Sequence, residues 1–196
     1  MVKLDTKTRR KQILEVSLEL IKNGGIQNLT MKKISRKVGI SEQAIYRHYE
    51  NKFAILCSII NYFNDHFESV FEKISKIEDT SDRINSLIDL HLEYFEANPA
   101  TAAVIFSEEI FQNNSQLTRE VKKLVEKRIR VATEMINKGQ ERGDIRVDYP
   151  SGDLAFVILG ALRFLVTSWR LSGFSFSLKE RGESLKATVT GLVTQE

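Results

Sequence analysis

Apolar side chains recur along this chain at intervals of three and four, the spacing that lines one face of an α-helix. No segment sustains the two-residue alternation of a half-buried strand, so the pattern predicts an all-α fold. Ile13, Leu14, Leu18 and Ile21 mark a first amphipathic helix ending at Gly24-Gly25. Two short helices follow, one from Met31 and one from about Glu42 to Tyr49, joined at Gly39. Ile34, Ser35, Val38, Ile40 and Ile45 fall where two such crossing helices must pack. A long helix is predicted from about Asn51 to Ile77, with Leu56, Ile59, Ile60, Phe63, Phe67, Val70, Phe71 and Ile74 on its apolar face. Glu78-Asp79-Thr80-Ser81 interrupts the pattern, and a helix from about Asp82 carries Ile84, Leu87, Ile88, Leu92 and Phe95 to Asn98-Pro99. Pro99 suits the first turn of the next helix, which ends near Asn113-Asn114. A helix from Ser115 to Gly143 has Leu117, Val121, Leu124, Val125, Ile129, Met135 and Ile136 as its stripe.

Residues 151–172 are apolar on nearly every face, and the turn at Gly173 leads to a final helix, Leu178 to Val193. A helix apolar all round must be covered all round. One domain of this size covers one side, so the other is expected to meet a partner chain, giving a homodimer through residues 151–193.

The segment from Thr30 to Lys52 has the organisation of a helix-turn-helix, the unit that places a second helix in the DNA major groove. Thr30 and Ser41 stand where each short helix begins, and their hydroxyls can accept from orphan amides there. Such positively polarised ends also attract phosphate oxygens. Thr30, Ile34, Val38-Gly39-Ile40-Ser41, Ile45-Tyr46, His48-Tyr49 and Lys52, with the amphipathic helix before them, resemble the N-terminal domain of the TetR family of transcriptional regulators. The resemblance implies a three-helix helix-turn-helix DNA-binding domain over residues 1–52 and a helical effector-binding and dimerisation domain over 53–196. It implies DNA contact at Thr30, Ser41, Gln43, Ala44, Tyr46, His48 and Lys52. Glu42 departs from the Lys or small residue often found at its position, and either turns toward a cytosine amino group or points away from the duplex.

Charge agrees with a polyanion partner. Residues 1–52 hold twelve Lys and Arg against five Asp and Glu, a net +7, while the rest of the chain carries −4; the whole-chain +3 hides this asymmetry. Lys7, Arg9, Arg10 and Lys11 lie where they either reach adjacent phosphates or a minor groove, or belong to a solvated terminus. No secretory signal opens the chain, and the longest apolar run, Leu154 to Leu159, is too short to span a bilayer. A soluble cytoplasmic protein is expected, with no membrane partner. The single cysteine, Cys57, excludes an intramolecular disulfide and a cysteine-based zinc site.

The body is expected to hold a small lipophilic effector among His91, Tyr94, Phe95, Phe106, Glu109, Phe111, Met135, Arg163 and Trp169. Arg163, a charge inside an apolar helix, calls for a carboxylate such as Glu108 or Glu109, or for an anionic head group. The three histidines, His48, His66 and His91, are scattered, and no phosphate-cradling loop or dinucleotide fingerprint occurs. No enzyme, metal site or cofactor is therefore implied. The expected function is a ligand-released repressor on a palindromic double-stranded DNA operator. The alternative is a DNA-bound scaffold that recruits a protein.

Overall fold

The computed structural model describes residues 4–107 and 114–194. Among them the regular elements are helical, with one isolated antiparallel bridge between Ile145 and Thr194. In chain order the α-helices are α1 (Thr6–Gly24), α2 (Met31–Val38), α3 (Glu42–Tyr46), α4 (Lys52–Ile74), α5 (Thr80–Ala97), α6 (Pro99–Ile105), α7 (Ser115–Arg142), α8 (Ser151–Leu171) and α9 (Leu178–Val193). The chain divides into two compact units, Met1–Phe63 with Pro99–Val121, and Asn64–Asn98 with Lys122–Glu196.

In the first unit α1 packs on α2 and α6. Ile13 and Ile21 of α1, Ile34 of α2 and Ile45 of α3 are buried, together with Ile55 and Leu56 of α4. Ser17 is buried between Ile13 and Ile21 because its hydroxyl donates to the Ile13 carbonyl at 2.7 Å, which leaves no polar group unsatisfied.

In the second unit α5 and α9 form an antiparallel pair. Four contacts run along the seam: Thr190 to Asn85 at 3.1 Å, Lys186 to Asp89 at 2.8 Å, Gly182 against Leu92, and the Leu178 amide to Glu96 at 2.9 Å. The residue number falls on one helix as it rises on the other. A Cβ at Gly182 would come within 2.5 Å of the Leu92 side chain, so the glycine permits the approach.

Several expected boundaries move; the long helix expected to reach Ile77 ends at Ile74, where the Lys76 and Ile77 amides turn back onto the Lys73 and Ile74 carbonyls. The helix expected over Glu42 to Tyr49 ends at Tyr46, because the His48 amide turns back onto the Ile45 carbonyl at 2.9 Å and tightens the last turn. The helix expected from Asp82 begins at Thr80, since Asp79 is its N-cap and accepts from the Asp82 amide at 2.8 Å. Helix α6 ends at Ile105, and the rest of that expected helix, residues 108–113, lies outside the described residues.

Helix α8 is long and apolar enough to cross a membrane on length and composition alone, with a third of its most apolar stretch buried. Leu154, Ala155, Ile158, Leu162, Val166 and Trp169 form its inner stripe. Phe156, Val157, Phe164 and Leu171 are exposed, Phe164 by 73% and Leu171 by 77%.

Candidate nucleic-acid interface

The interface is built on two caps and a turn. The Thr30 hydroxyl accepts from the Lys33 amide at 3.2 Å and starts α2, and the Ser41 hydroxyl accepts from the Ala44 amide at 3.2 Å and starts α3. Between them Gly39 takes φ +77°, ψ 33°, the left-handed conformation. Both the Gly39 and Ile40 amides donate to the Ser35 carbonyl, at 2.9 and 3.1 Å, closing α2. Val38 and Ile45 are buried at the crossing, which leaves Glu42, Gln43 and Tyr46 exposed on α3. Tyr46 keeps half of its surface.

Each side of α3 borders an open hollow. One, of about 430 Å³, is lined by Gln27, Leu29, Thr30, Met31, Lys32, Glu42, Tyr46, Asn51 and Lys52. The other, of about 560 Å³, is lined by Ser35, Arg36, Gly39, Ile40, Ser41, Ala44 and Arg47. The first gathers Thr30, Tyr46 and Lys52, three of the seven expected DNA contacts, around the N-terminal ends of α2 and α4. The Asn51 side chain accepts from the Ala54 amide at 2.9 Å, so α4 also starts on a cap. Lys52 rests its ammonium over the Phe53 ring at 5.3 Å. Glu42 lies on the rim of the same hollow, a carboxylate among groups that otherwise suit an anion. Ser41 and Ala44 face the second hollow. Gln27, Lys32, Asn51, Arg36 and Arg47 also line these hollows and stand outside the expected set; for Lys32 and Arg36 the clustered charge on α2 is the available signal.

His48 follows α3 in a turn. Its Nδ1 is buried without a hydrogen-bond partner, and burial first, then the charges of Arg9, Arg10 and Arg47, hold its pKa below the usual histidine value. Arg10 donates from Nη1 to the His48 carbonyl at 3.0 Å and stacks over the Tyr49 ring at 4.3 Å. Of the other basic residues on α1, Arg9 donates to Gln12 at 2.7 Å and Lys11 lies 3.9 Å from Glu15.

The residues expected around an effector separate. In the second unit His91, Tyr94 and Phe95 come together with His66 and Phe67. Their rings meet at 4.5 Å for His66 and Tyr94, 5.0 Å for Phe67 and His91, and 4.9 Å for His91 and Phe95. Over Phe67, at 3.8 Å, lies the guanidinium of Arg128, which was not anticipated. Burial lowers the Arg128 pKa to about 9, against the opposing pull of Glu68. Met135 and Trp169 are buried, and Trp169 packs edge-on against Phe174 at 4.6 Å. Phe106 is half-buried in the first unit, and Arg163 is exposed on α8. Glu109, Phe111 and Glu108 lie outside the described residues.

Comparison with known proteins adds two kinds of finding. The profile for bacterial regulatory proteins of the tetR family matches residues 13–59, and that for the C-terminal region of YsiA-like proteins, also of TetR type, matches residues 60–191. In sequence the chain is 29% identical over 124 residues to the nucleoid occlusion factor SlmA of Aliivibrio fischeri, covering 61% of this chain and 62% of that protein. The chain thus spans about three-fifths of that relative's length. In structure it is similar to the regulator FadR of Bacillus subtilis in complex with stearoyl-CoA, with a TM-score of 0.81 at 19% identity over 93% of this chain and 98% of that one. It is also similar to a transcriptional regulator of Saccharomonospora viridis in complex with choline, with a TM-score of 0.85 at 18% identity over 97% of this chain and 100% of that one. At these identities the structural likenesses speak for the fold.

Proposed function

Because this chain belongs to the TetR family of bacterial regulatory proteins, we propose that it is a cytoplasmic homodimeric repressor that binds a palindromic operator and is released by a small lipophilic effector. The hollow that gathers Thr30, Lys32, Tyr46 and Lys52 beside the exposed face of α3 carries the DNA part of this reading. Thr30, Ser41, Tyr46 and Lys52 bind phosphates, Ala44 lies against the duplex, and Gln43 and His48 meet base edges in the major groove. The exposed apolar side of α8 supports a dimer, because Phe156, Phe164 and Leu171 cost apolar surface in water until a second copy covers them. Twofold symmetry then supplies the second reading helix.

The effector site in this reading is the ring cluster of His66, Phe67, His91, Tyr94 and Phe95 with Arg128. An effector that binds the DNA-incompetent form more tightly lowers operator affinity by that difference. The similarity to nucleoid occlusion factors favours a second reading, a DNA-bound scaffold that recruits a protein without a small molecule.

Selection of duplexes from a randomised pool, at near-physiological salt, tests the proposal. Enrichment of a palindrome supports it, and binding without enrichment refutes sequence-specific repression. Titrating stearoyl-CoA and choline against the enriched duplex then separates the readings: release by either supports a sensor, and indifference to both moves the balance to the scaffold.

A further inference from the structure

Helix α3 has five residues, too few to hold its own far end. The segment behind it is turn, yet it carries His48 and the buried ring of Tyr49. Across 38 positions of sequence, Arg10 of α1 reaches this end with two contacts. It donates to the His48 carbonyl at 3.0 Å, and its guanidinium lies 4.3 Å from the centroid of the Tyr49 ring. One side chain thus satisfies a carbonyl that the stopped helix leaves without an intrahelical donor, and places a cation where the helix dipole is negative. It also clamps the ring that seats the turn, which is 2% exposed. A planar guanidinium can stack and donate at once; an ammonium cannot reproduce that geometry.

We propose that Arg10 is a positioning residue for DNA reading: it fixes the His48–Tyr49 turn, and through it the orientation of α3, rather than neutralising a phosphate. The inference rests on the DNA-binding reading above for its function, and on the two contacts for its structure.

The test uses the full chain as wild type, Arg10→Lys and Arg10→Ala. Binding is measured to the selected operator and to a scrambled duplex over a salt series, alongside amide hydrogen exchange in the free protein. Both variants are expected to lose about ten-fold in operator affinity, less than one cation–π contact and one charged hydrogen bond together, because only the part that orients α3 reaches the DNA. Affinity for the scrambled duplex and the slope of log affinity against log salt should stay at wild-type values. The Tyr49 amide, which donates to the Ile45 carbonyl at 3.0 Å, should exchange faster in both variants, while the amides of Ile13 and Ile21 stay protected. Wild-type operator affinity in Arg10→Lys would overturn the proposal. So would a slope reduced by about 0.9 in Arg10→Ala, the signature of one lost phosphate contact. If no duplex binds the wild type, the regulator reading fails, and unchanged Tyr49 exchange is then the result that sinks the clamp itself. Loss of protection at Ile13 and Ile21 would mean that Arg10 serves the stability of the whole unit, which also overturns a positioning role.

Discussion

Acidification probes how firmly the second unit commits His91 to its apolar surroundings. The imidazole stands edge-on to Phe67 at 5.0 Å and to Phe95 at 4.9 Å. Burial, and after it the charge of Arg128, lowers its pKa from 6.5 to about 3. The folded chain therefore keeps the ring neutral at pH values where the unfolded chain protonates it. Since the unfolded state binds the extra proton, stability is intact above 6.5, declines as the pH falls below that value, and stops declining near 3. Each pH unit in this window is worth about 1.4 kcal/mol. Moving from pH 7 to pH 5 thus costs about 2 kcal/mol, an upper limit because the ring keeps some exposed surface. Burial shifts His48 and His66 in the same direction, so wild-type data alone do not isolate His91. The His91→Phe variant does. Urea unfolding followed by circular dichroism at pH 7 and pH 5 should show wild type losing about 2 kcal/mol more than the variant. Equal losses in the two proteins would refute the reasoning.

Three further outcomes follow from the geometry. Gly39→Ala meets no atom within 4 Å, so its cost comes from φ +77° alone; an unfolding free energy lower by about 1–2 kcal/mol is expected, with Gly39→Asn costing less, and equal stability of Ala and Gly would contradict the left-handed turn. Gly139→Ala puts a Cβ 2.6 Å from Ile145 and 2.8 Å from Thr80, so overpacking should lower stability by about 1–3 kcal/mol in the same urea assay. Phe164→Asp places a charge on the exposed side of α8 and should shift the protein to monomers in sedimentation, with persistence of a wild-type dimer ruling that face out.

Features written in local hydrogen bonding were legible in the sequence. Thr30, Ser41 and Gly39 act within four residues of themselves, so residue type and spacing were sufficient to place the caps and turn. By sequence Asp79 belongs to a helix breaker, and in the fold it is a helix starter; the same short polar side chain serves both roles, and only the path of the chain decides. The end of α3 was not legible, because Tyr49 continues the apolar spacing although the chain has left the helix, and Arg10, far off in sequence, helps hold it there. Arg128 was missed for a different reason. Leu117, Val121, Leu124, Ala132, Met135, Ile136 and Gly139 form the buried side of α7, and Arg128 falls on that spacing, four residues from both Leu124 and Ala132. Val125 and Ile129 belong to the expected apolar stripe, yet Val125 is exposed. Periodicity located the face, and hydrophobicity alone misassigned its middle.

If α3 is the reading helix of the proposed repressor, its shortness limits how much information one copy of this chain can read. Five residues rise about 7.5 Å at 1.5 Å each, little more than two base-pair steps of about 3.4 Å. Singling out one address among roughly a million competing sites takes about ten fully specified base pairs. One reading helix supplies only a fraction of that. A second copy doubles the fraction, and the remainder has to come from the shape of the duplex or from several dimers sharing one stretch of DNA.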